Sequence, residues 1–266
     1  MVGVLAANMA NPTMPAIAAA AEVALRGAGY VMVLCDTHDR AELQDEYLLE
    51  IRAQYARGLV LLGAVDSPVL RDFVRSGETL VFVNRRSPVD APTQRYVGID
   101  NRVAGSDVAN WLAAQGLREV GLIHARLSSS ATAERVQGFR AALASHGITL
   151  ARAHVQTVAD AEHLQIGYQS MAKLIALPRR PRAVFCTSDL IAYGAQRCLA
   201  EAGLQVGRDV LLVGFDDSPM NPWVAPWLNA VRVPYAEFGP AIVESLTGAP
   251  GQSIILSHKF VARPVG

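Results

Sequence analysis

The sequence predicts an α/β protein made of two similar lobes, each a doubly wound, mostly parallel sheet. Three observations carry this. Short apolar segments end in a polar residue and give way to apolar residues at helical spacing. That rhythm restarts after residue 101 and runs for a similar length. The strands are near-continuous apolar runs, as strands buried on both faces must be. At 266 residues and 51% hydrophobic, the chain can bury a large core.

The first run opens with a strand at Val2–Ala6 and a loop over residues 8–15. A helix follows, with Ile17, Ala21, Ala24, Leu25 and Ala28 on one face. The next strand covers residues 30–35, and a helix over about 41–57 carries Leu43, Tyr47, Leu48, Ile51 and Tyr55. A strand at 58–62, a short helix around Leu70 and Phe73, a strand at 79–83 and another at 96–99 complete the run.

The second run starts with a helix over about 102–115 and a strand at 120–124. A Ser-rich turn at 127–130 leads to a helix with Val136, Phe139 and Leu143 inward. A strand near His154 and a helix with Tyr168, Met171 and Ile175 follow. The stretch from Ala183 to Pro219 is the most informative: strand, polar turn, helix and a second buried strand, ending at Asp216. Ser188 or Asp189 suits the helix cap, with Asp189 favoured for that role over ligand binding. A Pro- and Trp-rich loop, a strand at 229–233, a helix over 235–247 and strands between 254 and 261 end the chain.

Lys plus Arg number 24 and Asp plus Glu 24, so the net charge is zero. That argues against a nucleic-acid surface on these residues. Arg179-Arg180-Pro181-Arg182 reads as a solvated loop. Cys35, Cys186 and Cys198 lack metal spacing and sit in apolar runs, which suits reduced, buried thiols in a cytoplasmic protein. The N-terminus has no signal-peptide pattern and no run is long enough to span a membrane. No G-x-S-x-G elbow, phosphate-binding P-loop or metal spacing occurs, so neither an enzyme nor a cofactor is expected. His124 ends a strand without a nucleophile beside it, and reads as structural or solvated.

In open α/β sheets, ligands bind beyond the carboxyl ends of the strands. Ser188, Asp189 and Asp216 fall at two such ends. With two lobes, a pocket between them is expected.

Further markers run along the whole chain: Asn11-Pro12, Val83-Asn84-Arg85-Arg86, Gly98-Ile99-Asp100-Asn101 and Ser128-Ser129. With them come Ala133 to Arg140, Ser188-Asp189, Val213-Gly214-Phe215-Asp216-Asp217, Pro226 to Pro234 and Val261-Ala262-Arg263-Pro264. In this order the sequence resembles the effector-binding core of the lactose-repressor family of bacterial transcription regulators, which shares the fold of type I periplasmic sugar-binding proteins. The resemblance implies three crossover strands near 98–102, 232–235 and 250–254. It divides the chain into 1–100 plus 235–252 and 101–234 plus 253–266. It also implies a DNA-binding helix-turn-helix and hinge helix upstream, so that this chain is an expressed fragment.

By the same resemblance, Arg135 and Asp216 grip ligand hydroxyls or carboxylates; a structural ion pair is the alternative. Asp100 and Ser188 match further pocket positions, and Asn11, Met14, Asn84 and Arg85 match positions from the first lobe. Arg85 is equally compatible with a solvated strand end. Where sugar-binding relatives carry two aromatic residues after the Asn-Pro pair, this chain has Thr13 and Met14. An aromatic expected at 160–162 is absent, and a frequent glutamine is Val233. Trp223 and Trp227 are either substitutes or lobe packing.

The expected protein is therefore an effector-sensing, dimerising regulator core that takes a small polar, sugar-like ligand and works without a membrane. It is expected to contact operator DNA through the missing domain alone. A periplasmic solute-binding protein is the alternative. The helices around Leu70–Val74 and Ala195–Leu199 are the expected homodimer surfaces.

Overall fold

The computed structural model describes residues 1–90 and 94–263; Pro264 of the terminal motif lies outside them. The chain divides into two compact units, Met1–Ile99 with Pro234–Ser257, and Asp100–Val233 with His258–Gly266. Each is an α/β sheet flanked by helices, the predicted fold class.

The first unit comprises β1 (Val2–Ala6), α1 (Thr13–Gly27), β2 (Met32–Asp36), α2 (Ala41–Ala53), β3 (Leu59–Leu62) and α3 (Pro68–Ser76). It continues through β4 (Leu80–Val83) and β5 (Arg95–Ile99). Its six strands run in the order β11-β5-β4-β3-β1-β2, where β11 is Ser253–Leu256. The central strands β1, β3 and β4 are buried along their whole length, as their apolar runs require. The strand expected at 30–35 is different. It forms the sheet edge, pairs with β1 alone, and leaves Val31 70% and Leu34 38% exposed.

Local sequence sets the helix ends. In α3, Ser67 Oγ accepts from the Leu70 amide, Pro68 fills the first turn, and Gly77 closes the helix with φ 74°. Helix α2 stops at Ala53, short of the expected 57.

The second unit holds α4 (Asn101–Ala114), β6 (Val120–Ile123), α5 (Ser130–Ser145), β7 (Val155–Gln156), α6 (His163–Ile175), β8 (Ala183–Cys186) and α7 (Asp189–Glu201). Then come β9 (Leu211–Asp216), α8 (Asn221–Val224) and β10 (Asn229–Arg232). Helix α9 (Tyr235–Thr247) belongs to the first unit, and β12 (Lys259–Val261) returns to the second. The second sheet runs β12-β10-β9-β8-β6-β7, with β12 antiparallel to β10. The strand expected near His154 is a 3-10 turn followed by the two-residue edge strand β7. The Pro- and Trp-rich loop contains the single turn α8.

One boundary is corrected. Residues 253–256 were expected in the second lobe, yet β11 pairs in parallel with β5 of the first sheet, Ser253 opposite Tyr96. The apolar run Ile254-Ile255 extends a sheet edge instead of opening a new one.

The apolar residues named on the helices expected to dimerise are buried within the chain itself. Leu70 and Phe73 lie in the first unit's core, and Ala195 and Leu199 in the second's, each at most 1% exposed. One unit buries them without help. Among the described residues, no helix is long and apolar enough to cross a membrane. The three cysteines are free thiols, two buried and Cys35 half-buried.

The helix layers are tight. A Cβ on Gly105 of α4 would strike the Arg135 carbonyl of α5, and one on Gly138 of α5 would strike the Arg102 carbonyl of α4. Gly167 of α6 and Gly194 of α7 repeat this reciprocal contact, through the carbonyls of Ile191 and Leu164.

Candidate functional site

The second unit's polar groups gather at the carboxyl ends of β8 and β9. Helix α5 brings Arg135 there from its second turn, only 6% exposed. Its Nε donates to Asn101 Oδ1 at 2.8 Å and one terminal nitrogen to the Thr187 carbonyl at 2.9 Å. Its Cζ lies 3.5 Å from the centroid of the Phe215 ring. The same terminal nitrogen stands 3.8 Å from Asp216 Oδ1. An arginine taken out of water needs such partners for each part of its planar fork.

Asp216 is 6% exposed and has φ 109°, and Asp217 follows with φ 48°. Two non-glycine residues in succession at positive φ mark a strained turn, of the kind held in place at ligand sites. Asp217 points elsewhere: it takes Arg232 Nε and an Arg263 terminal nitrogen, each at 2.6 Å, and Asn221 Nδ2 at 3.1 Å. Those contacts anchor the turn from behind.

Ser188 is the α7 cap; its Oγ accepts from the Ile191 amide at 3.3 Å and meets His163 Nδ1 at 2.9 Å. Asp189, the other cap candidate, is not one. It is buried, and its Oδ2 accepts from the Ser218 amide at 2.7 Å and Asn221 Nδ2 at 3.0 Å, while Oδ1 has no hydrogen-bond partner. Burial, reinforced by the Asp216 carboxylate, holds Asp189 well above the usual carboxylate range. Gly214 makes room for it, since a Cβ there would sit 2.5 Å from Asp189 Oδ1.

Asp100 caps α4, accepting from the Val103 amide at 2.9 Å, and is exposed. Its neighbour Asn101 is fully buried, and Asn101 Nδ2 has no partner. His124 is structural as expected: its Nδ1 meets the Ala125 carbonyl at 2.8 Å, and burial lowers its pKa.

In the first unit, the four remaining candidates also lie beyond strand carboxyl ends. Asn11 Oδ1 accepts from the Thr13 amide at 3.2 Å, and Met14 is buried in the first turn of α1. Asn84 adopts φ 65° after β4. Arg85 is no solvated strand end: it forks onto Asp39, at 2.6 Å to Oδ1 and 3.3 Å to Oδ2, with both side chains largely buried. Trp227 packs on the second unit's core, and Trp223 is 84% exposed.

Sequence reasoning missed Asn101, Thr187, Phe215, His163 and Asp39. Asn101 and Phe215 stood inside recognised motifs beside the chosen residues. His163 directly follows the 160–162 stretch where an aromatic ring was expected. Nothing local signals the Arg85–Asp39 pair, whose partners are 46 residues apart.

A periplasmic binding protein-like domain model matches residues 109–259. The ribose operon repressor of Escherichia coli K12 is 25% identical over 266 residues, covering 99% of this chain and 79% of that protein. The transcriptional regulator MalR of Streptomyces coelicolor is 28% identical, covering 99% of this chain and 79% of the other. A solved complex of the transcriptional regulator CelR with cellobiose superimposes with a TM-score of 0.87 at 25% identity, over 100% of this chain and 84% of that one. The chain belongs to the periplasmic binding protein-like domain family, as an effector-binding core of the lactose-repressor type of transcription regulator.

Proposed function

We propose that the effector sensed by this regulator core is a small polyhydroxylated molecule, gripped in the second unit between Arg135 and Asp216. One observation carries the proposal: the 3.8 Å between the guanidinium and the carboxylate. A ligand hydroxyl placed beside both groups can accept from the arginine and donate to the aspartate. Ser188 and His163, joined at 2.9 Å, lie on neighbouring helix starts and add further hydroxyl partners. No bond is made or broken, so the reading is binding and not catalysis. The similar proteins include a repressor of a ribose operon and a regulator in complex with cellobiose, which supports this ligand class.

Such a core works through differential affinity: the effector favours one arrangement of the regulator, and DNA-binding segments joined to the core read that arrangement in the cytoplasm. We further propose that it acts as a homodimer. Exposed apolar side chains support this: Val23, Val31, Leu34 and Leu49 in the first unit, and Met220, Trp223 and Val224 in the second. Calorimetric titration with pentoses, hexoses, disaccharides and nucleosides tests the ligand class. Saturable binding by one polyol class, weakened in Asp216→Asn, is expected; a panel without any binding overturns it. Sedimentation at micromolar concentration tests the dimer, and a monomer alone removes it.

A further inference from the structure

The second unit has a basic cavity at the other end of its sheet. It is open to solvent, with a volume of about 540 Å³, within the range of small-molecule sites. Arg182 stands just before β8, Arg208 and Leu211 at the start of β9, Trp111 and Gln115 at the end of α4, and Arg263 after β12. Strand β9 begins here at Leu211 and ends at Asp216. Five steps at about 3.3 Å each put the two sites roughly 16 Å apart along that strand.

The charge on this wall is of one sign: three arginines line the cavity and no carboxylate does. Arg263 is committed to Asp217 and to the Leu228 carbonyl. Arg182 and Arg208 are exposed, and neither has an ion pair or side-chain hydrogen bond among the described residues. Asp209, next to Arg208, is occupied: its Oδ2 accepts from the Gln205 amide at 2.9 Å. Trp111 rests against Phe260, with ring centroids 5.0 Å apart, so the indole is braced from within the unit.

We propose that this cavity binds a phosphorylated small molecule, its phosphate held by Arg182 and Arg208 and its organic part against Trp111. Guanidinium forks match phosphate oxygens in pairs, and two arginines with no ion pair among the described residues suit a dianion better than a neutral sugar. The chain as a whole carries no net charge, so the attraction is local to this wall. The phosphate-holding residues are distinct from those of the effector reading, although Arg263 of this wall also reaches Asp217 behind the Asp216 turn.

Titration of the chain with ribose 5-phosphate, inorganic phosphate and ribose, followed by calorimetry and tryptophan fluorescence, tests this. Ribose 5-phosphate is expected to bind the parent and Asp216→Asn alike, and at least about tenfold more weakly to the double variant Arg182→Gln/Arg208→Gln. Added salt weakens binding, and Trp111→Phe removes the fluorescence change. Inorganic phosphate binding with the same arginine dependence also supports the site, with the bare anion as ligand. Failure of both phosphates to bind, retention of affinity in the double variant, or its loss in Asp216→Asn instead overturns the proposal.

Discussion

The Arg135 guanidinium lies over the Phe215 ring, Cζ 3.5 Å from the centroid, so β9 supplies both the arginine's platform and, one residue later, its counter-charge. The arginine also ties the start of α4 to the end of β8 through Asn101 and Thr187. The sequence set ligand grip against structural ion pair; the geometry makes Arg135 a strut, whatever else it holds.

Arg135→Ala is therefore expected to lower stability, by about 3–5 kcal/mol, because it strands a buried carboxylate and two buried acceptors. At 6% exposure, Arg135 leaves no room for water to take over its partners. Urea unfolding measures the loss. A change under about 1 kcal/mol would show that these contacts carry little.

Asp216→Asn keeps shape and removes charge, so it separates binding from folding. Effector affinity is expected to fall by roughly thirty-fold or more, equivalent to about 2 kcal/mol. Calorimetry with the best ligand of the panel reads this, and an unchanged affinity rejects Asp216 as a contact.

Asp189 gives a pH signature. Its folded value lies above its unfolded one, so the folded state holds the proton more tightly. Its contribution to stability is best in acid and declines as pH rises from about 4 towards the folded value. Asp189→Asn accepts the same two hydrogen bonds and cannot ionise. Its melting temperature relative to the parent is expected to climb as the pH rises above about 4, the unfolded value. A difference that stays flat contradicts a proton held on Asp189.

Gly138→Ala drives a methyl into the Arg102 carbonyl, and the helices must part. A loss of about 1–3 kcal/mol is expected in urea unfolding. Gly27→Ala, where the added Cβ meets nothing within 4 Å, is the matched control and should cost nothing.

Strands such as β1, β3 and β9 were legible because burial on both faces leaves an unbroken apolar run. Their places in the sheet were not. β2 and β11 are as apolar as central strands in sequence, and only pairing distinguishes them. At the site, strand-end residues such as Asp216 were readable from their position after apolar runs. Roles set by long-range partners were not: Asp189 looks like a cap until Ser218 and Asn221, 29 and 32 residues away, turn its carboxylate inward. Likewise the apolar faces of α3 and α7 advertise burial without saying whether their own unit or a second chain provides it.

The reciprocal glycine contacts have an evolutionary consequence. Where α4 meets α5, and α6 meets α7, spacing is set by backbone touching backbone. The starts of α4, α6 and α7 carry Asn101, His163 and Ser188, and α5 carries Arg135. Their separations therefore owe little to the rotamers or charges of the outward helix faces. Those faces are free to drift, exchanging surface chemistry while the inner geometry holds still. A structural neighbour that matches at a TM-score of 0.87 with 25% identity is what such insulation permits.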